Sequence, residues 1–254
     1  MRAAIQWFYQ TIDIMALLAI ENLKKNYGGR KVVNDVSMSV ESGAVVGLLG
    51  PNGAGKTTTF YLTVGMVTPD AGTVRIDEEA VTNDPMYIRA RKGIGYLPQE
   101  TSVFRKLSVR DNLMAILETL PKTRDEMNQR ADMLLDELGI AHLAKQKAVV
   151  LSGGEKRRLE ISRTLATNPA FILLDEPFAG VDPLAVIDIK NIVKHLRTRG
   201  IGVLISDHNV RETLEVCDRA YILNEGKVIE SGPPEKIITS KTARKIYLGD
   251  EFRL

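Results

Sequence analysis

The 254-residue chain is 44% hydrophobic and 26% charged, enough for one large domain or two small ones with a substantial core. Its 34 Lys+Arg against 32 Asp+Glu leave +2, which gives no electrostatic case for binding nucleic acid or an anionic membrane. A single cysteine, Cys217, excludes an intrachain disulfide framework, three scattered histidines argue against zinc, and 6% aromatics argue against a base-stacking surface.

No apolar run approaches the ~18 residues of a membrane helix. Residues 1–14 lack the apolar stretch and cleavage site of a signal peptide, so a reduced, cytoplasmic setting is the default. Met15 runs directly into Ala16-Leu17-Leu18-Ala19-Ile20 and is predicted as the natural start. Residues 1–14 are then an extension; a short helix on Ile5, Phe8 and Ile12 is the other reading.

Strand and helix patterns then alternate, which predicts an α/β fold. Residues 17–23 and 31–40 read as strands, joined through a turn at Gly28-Gly29. Residues 44–49 are a continuous apolar run, as in a buried parallel strand, and 56–67 read as a helix. Short strands are predicted at 73–76 and 94–97. From Ser108 to Leu138 the pattern is helical and charged, with Ser108 and Asp111 fitting a helix start and Leu113, Ile116, Leu117 and Leu120 sharing a face. A second helix is predicted from about 124 to 138, and residues 100–165 form an inserted helical subdomain. Alternation resumes with a strand at 171–174, a helix at 183–199, a strand at 202–206 and a helix at 210–216. A hairpin follows around Asn224-Glu225-Gly226, and a helical region from about 233 to 254 ends the chain.

Gly50-Pro51-Asn52-Gly53-Ala54-Gly55-Lys56-Thr57 matches the phosphate loop G-x-x-x-x-G-K-[ST], between an apolar strand and a helix. Glycines let successive backbone N–H groups face one anion, and the helix start adds positive potential. Lys56 is placed to reach the β and γ phosphates and Thr57 to bind Mg²⁺; Thr58 completes the nucleotide-binding set. The strand Phe171-Ile172-Leu173-Leu174 ends in Asp175 and Glu176. Asp175 is placed to hold Mg²⁺ and Glu176 to orient the attacking water. Leu151-Ser152-Gly153-Gly154-Glu155 contains a capping box, Ser152 with Glu155, which alone means little. Gly153 and Gly154 cost helix stability and are useful where the backbone approaches an anion. The phosphate loop already holds its own nucleotide, so that anion belongs to another subunit's ATP.

These three elements, in chain order the phosphate loop, Leu151–Glu155 and Asp175-Glu176, with a helical segment between the first and the others, resemble the ATP-binding subunit of ABC transporters. The resemblance covers residues 15–254. It implies a P-loop NTPase (RecA-like) core with an N-terminal antiparallel β subdomain and an inserted α-helical subdomain. It also implies a homodimer in the ATP-bound state, each ATP lying between one copy's phosphate loop and the other's Ser152–Glu155. By resemblance, Tyr27 stacks on adenine, Gln99 contacts Mg²⁺ and water, Asp182 lies at the dimer interface, and His208 contacts the γ-phosphate. Catalysis then falls to Glu176, His208 and Lys56. Phe104 and Arg105 line a groove for a membrane partner.

Several stretches look like the lipopolysaccharide-exporting members of that family. They are Gly93 to Val109, Phe178 to Pro183, Asp207 to Thr213, and the tail Tyr247-Leu248-Gly249 with Phe252-Arg253-Leu254. The implied partners are membrane subunits resembling LptF and LptG, with LptC, at the cytoplasmic face of an inner membrane. An ATPase for branched-chain amino-acid uptake, or a soluble ABC protein acting on nucleic acid or ribosomes, are the rival readings.

Overall fold

The computed structural model describes residues 16–249 and Phe252. The expectations for residues 1–14 and for a start at Met15 lie outside that range, as do Arg253 and Leu254.

In chain order the elements are β1 (Leu17–Tyr27), β2 (Arg30–Glu41), β3 (Val45–Leu49), α1 (Lys56–Val64), β4 (Ala71–Ile76), β5 (Glu79–Ala80), α2 (Met86–Arg91) and β6 (Ile94–Leu97). Three helices follow: α3 (Val109–Leu117), α4 (Arg124–Glu137) and α5 (Gly153–Leu165). Then come β7 (Phe171–Asp175), α6 (Pro183–Thr198), β8 (Gly202–Ser206), α7 (Val210–Leu214), β9 (Arg219–Asn224), β10 (Lys227–Gly232) and α8 (Pro234–Thr239). Two differences from expectation have clear causes. Helix α1 stops at Val64 because Gly65 turns left-handed, with φ of 84°. Strands β1 and β2 outrun the apolar stretches because their hairpin continues to Gly28 and Gly29, whose φ of 54° and 84° suit a two-residue turn.

Two sheets result. One is antiparallel, ordered β2-β1-β4-β5. The other is six-stranded, ordered β10-β9-β3-β8-β7-β6, and parallel except at β10. Its inner strands β3, β7 and β8 are buried along their whole length and read as largely apolar runs because both faces are covered. Leu48, Phe171, Leu173 and Leu204 face a core completed by Phe60 of α1 and by Leu18, Ile20, Val36 and Val40 of the antiparallel sheet. Leu49, Ile172, Leu174, Val203 and Ile205 face the other way, onto a core with Leu159 and Leu165 of α5 and Ile189, Val193 and Leu196 of α6. Leu113 and Leu117 of α3 join this second core with Leu134 and Leu135 of α4.

This topology positions the chemistry. Strands β3, β8, β7 and β6 are successive neighbours, so the segments after them emerge side by side at one edge. Those segments are the phosphate loop, Asp207-His208, Glu176 and Gln99. An open parallel sheet binds its ligands outside these carboxyl ends, where the strand order reverses.

Candidate active site

The turn from β3 into α1 depends on glycine. Gly50 has φ of 148°, and a Cβ there would lie 2.1 Å from the Leu223 carbonyl oxygen. Gly55 has φ of 105°, and a Cβ there would lie 2.5 Å from the Val32 oxygen. With Gly53 also left-handed, residues 50–57 wrap Lys56, which is buried. Its Nζ donates to Gly50 O at 2.6 Å and Pro51 O at 3.1 Å. Burial pulls the ammonium pKa down, opposed by Glu176, Asp175 and Asp207 nearby. Ala54 is buried, Pro51 and Thr58 are half-buried, and Asn52 and Thr57 are exposed.

Asp175 ends β7 and is 3% exposed. Its Oδ2 accepts from Tyr96 Oη at 3.3 Å, while its Oδ1 has no hydrogen-bond partner. Burial first, and Glu176 second, push its pKa up to about 6. A buried carboxylate oxygen without a donor is costly in isolation and suits a cation. Glu176 turns left-handed at φ of 47°, and its N–H donates to Ser206 O at 2.6 Å. Gln99 Nε2 donates to Glu176 Oε2 at 2.8 Å, and His208 Nδ1 lies 3.5 Å from the same oxygen. Lys56, Gln99, Asp175, Glu176 and His208 thus converge from four neighbouring strand ends.

Ser152 caps α5, and the capping box with Glu155 forms: Ser152 N–H reaches Glu155 Oε2 at 2.8 Å. Gly153 and Gly154 have open space where a side chain would be. A cleft of about 560 Å³ runs between α1 and α5, lined by Thr57, Tyr61, Gln99, Glu160, Arg163 and Asp175 among others. No residue of 152–155 lines it. Asp182 caps α6, accepting from Leu184 N and Ala185 N at 3.0 Å. It shares a smaller pocket with Gly153 and Gly154. Tyr27 is 47% exposed at the hairpin tip, with Lys25 Nζ 5.6 Å from its ring centre.

Phe104 and Arg105 do not line the cleft. Asn112 holds Phe104 by both backbone N–H and carbonyl, which turns the side chain outward. Phe104 is 45% exposed, and the Arg163 guanidinium lies 4.4 Å from its ring centre. It therefore reaches the cleft only through Arg163.

Three neighbours of the site escape sequence reasoning. Tyr96 holds Asp175. Asp207 is fully buried between strand ends. Tyr247 donates to His208 O at 3.5 Å, and burial pushes its phenol up to about 12. Asp207 carries a signal, an acid closing the apolar run of 202–206; Tyr96 and Tyr247 carry none on their own.

Residues 33–179 match the ABC transporter family. The chain is 58% identical over 241 residues to the lipopolysaccharide export system ATP-binding protein LptB of Escherichia coli strain K12, covering 94% of this chain and all of that protein. It is 56% identical, with the same coverage, to the LptB of Haemophilus influenzae. Among solved structures, an ABC-transporter ATP-binding cassette in its ADP conformation superposes with a TM-score of 0.83 at 31% identity, covering 93% of this chain and 100% of that one. A nucleotide-free cassette gives 0.81 at 31% identity, with the same coverage. Fold, family match and identity along nearly the whole chain agree: this protein belongs to the ABC transporter family, as an ATP-hydrolysing cassette.

Proposed function

We propose that this cassette powers the extraction of lipopolysaccharide from an inner membrane for export. The observation that carries the reading is 58% identity across the full length of the E. coli protein, which bears that name. No helix among the described residues is long and apolar enough to cross a membrane. In this reading the motion is passed to separate membrane subunits. These resemble LptF and LptG, with LptC, and the cassette works as a homodimer at the cytoplasmic face. Depleting the protein in its native host tests this. Lipopolysaccharide accumulating in the inner membrane is expected; an unchanged distribution would overturn the reading.

The chemistry follows from the strand ends. Backbone N–H groups of residues 50–57 and the third N–H of Lys56 hold the β and γ phosphates. Thr57, Asp175 and Gln99 hold Mg²⁺, for which the unpartnered Asp175 Oδ1 is suited. Bound there, the ion offsets charge on the phosphoryl oxygens. Glu176 orients the water for in-line attack, and His208 contacts the γ-phosphate. Ser152 and the Gly153 and Gly154 amides act on the ATP of the facing copy, with Glu155 bracing the cap. Their absence from the cleft beside Thr57 supports this arrangement. Asp182, in a pocket with Gly153 and Gly154, belongs to the same seam, and Tyr27 stacks on adenine. Glu176→Gln tests the core of the scheme. It should bind ATP and turn over at least ~10²-fold more slowly; near-normal turnover removes Glu176 from its role.

The cleft between α1 and α5 takes the membrane partner, with Phe104 and Arg105 at its rim. Replacing exposed Phe104 by Ala should weaken copurification with the membrane pair and leave ATP affinity unchanged. Unchanged copurification would remove Phe104 from the interface.

A further inference from the structure

One buried acid has no part in this scheme. Asp207 follows β8 and is 0% exposed. Its Oδ2 accepts the Phe178 N–H at 2.8 Å, and its Oδ1 accepts the Asn209 N–H at 2.7 Å. Phe178 lies two residues after Glu176, and Asn209 directly follows His208. Pro177 stands between Glu176 and Phe178 and has no N–H to donate. Phe178 therefore supplies the first amide downstream of Glu176 that can tie the segment down, and Asp207 takes it. Upstream, the Glu176 N–H is held by Ser206 O at 2.6 Å. Glu176 needs both anchors. Its φ of 47° is a left-handed conformation, disfavoured for a side-chain-bearing residue and more so before proline. Such a conformation persists only where its surroundings over-determine it.

A purely architectural role fits poorly. Enclosing a carboxylate is unfavourable, and a well-packed apolar side chain commonly stabilises a fold as well or better. What an apolar residue cannot do is accept two amides at once, one from each catalytic turn. His208 Nδ1 also lies 3.6 Å from Asp207 Oδ1.

We propose that Asp207 is a positioning residue for ATP hydrolysis, fixing the turn that carries Glu176 to the turn that carries His208. It touches neither substrate nor reacting atoms. It keeps Glu176 Oε2 and His208 Nδ1 3.5 Å apart and aimed at one phosphoryl group. The inference rests on the reading of Glu176 as the group that orients water.

The test uses the full chain carrying Asp207→Asn, which keeps the shape and replaces one acceptor oxygen with a donor. ATP affinity measured in EDTA and the thermal midpoint should stay close to the wild type. The kcat should fall about 10- to 100-fold with KM unchanged, the scale expected of a misplaced catalytic group. The Phe178 amide, protected from hydrogen exchange in the wild type, should exchange rapidly. In single-turnover assays, adding Asp207→Asn to Glu176→Gln should cost much less than it costs the wild type, because the group it positions is already disabled. Unchanged kcat, or full additivity in that cycle, overturns the proposal. So does a variant that fails to fold, which would place Asp207 in the architecture alone. A freely exchanging Phe178 amide in the wild type overturns it without any substitution. Near-normal turnover by Glu176→Gln alone marks the different failure, that of the reading of Glu176.

Discussion

Burial sets the electrostatics of Lys56 and Asp175, and each shift makes a measurable claim. Asp175 titrates near 3.8 when unfolded and at about 6 in the native chain. The native state therefore holds its proton longer. The stabilising contribution is complete below pH 3.8 and is lost as pH rises through 6, a loss on the order of 3 kcal/mol. In EDTA at pH 7, Asp175→Asn should raise the thermal midpoint, and the gain should vanish near pH 4. Lys56→Ala should weaken ATP binding roughly 10- to 100-fold, as expected for loss of a charged hydrogen-bond donor, measured by isothermal titration. The phosphate loop and the acids after residue 174 are legible in the sequence because covalent spacing alone fixes their geometry. Tyr96 is not, because it meets Asp175 from 79 residues away, across a strand pairing that neither segment encodes by itself.

At the scale of elements, local signals and their exceptions are both instructive. The capping boxes at Thr123 and Ser152, and the Asp182 cap, form where a small polar residue precedes an apolar period. Asp182→Ala should cost ~1 kcal/mol through lost capping, read from the denaturant midpoint. Gly55→Ala should cost more, ~1–3 kcal/mol of backbone strain, because φ of 105° and the Val32 oxygen both oppose a Cβ. Helix α2 is the element the sequence hides. Its buried residue is Arg89, whose guanidinium donates to the carbonyls of Leu62, Thr63, Thr82 and Asp84, while Met86 and Tyr87 are exposed. A periodicity search looks for apolar residues facing inward, and here an arginine ties off the end of α1.

Taken whole, the cleft beside Thr57 has no lining residue from 152–155, and in the proposed scheme the phosphate loop and the Ser152 cap serve different ATPs, which makes one copy half of a working site. Glu176→Gln saturated with ATP should sediment as a dimer, and the nucleotide-free chain as a monomer. A monomer under both conditions, alone and with membrane subunits, would refute the sandwich. The α/β class was legible from strand–helix alternation, and the pairing of two copies from Ser152–Glu155, a second segment suited to an anion in a chain whose phosphate loop already has its own. Helix α5 links the two ends of this machine. It starts at the Ser152 cap, and further along it lines the cleft through Glu160, Arg163 and Thr164. Its 13 residues make a rod of about 20 Å, too stiff to move at one end only. A small molecule wedged into the far end of the cleft, against Glu160, Arg163 and Thr164 and clear of Thr57, Gln99 and Asp175, would therefore act as a noncompetitive inhibitor: nucleotide would still load, and more of it would bring no relief.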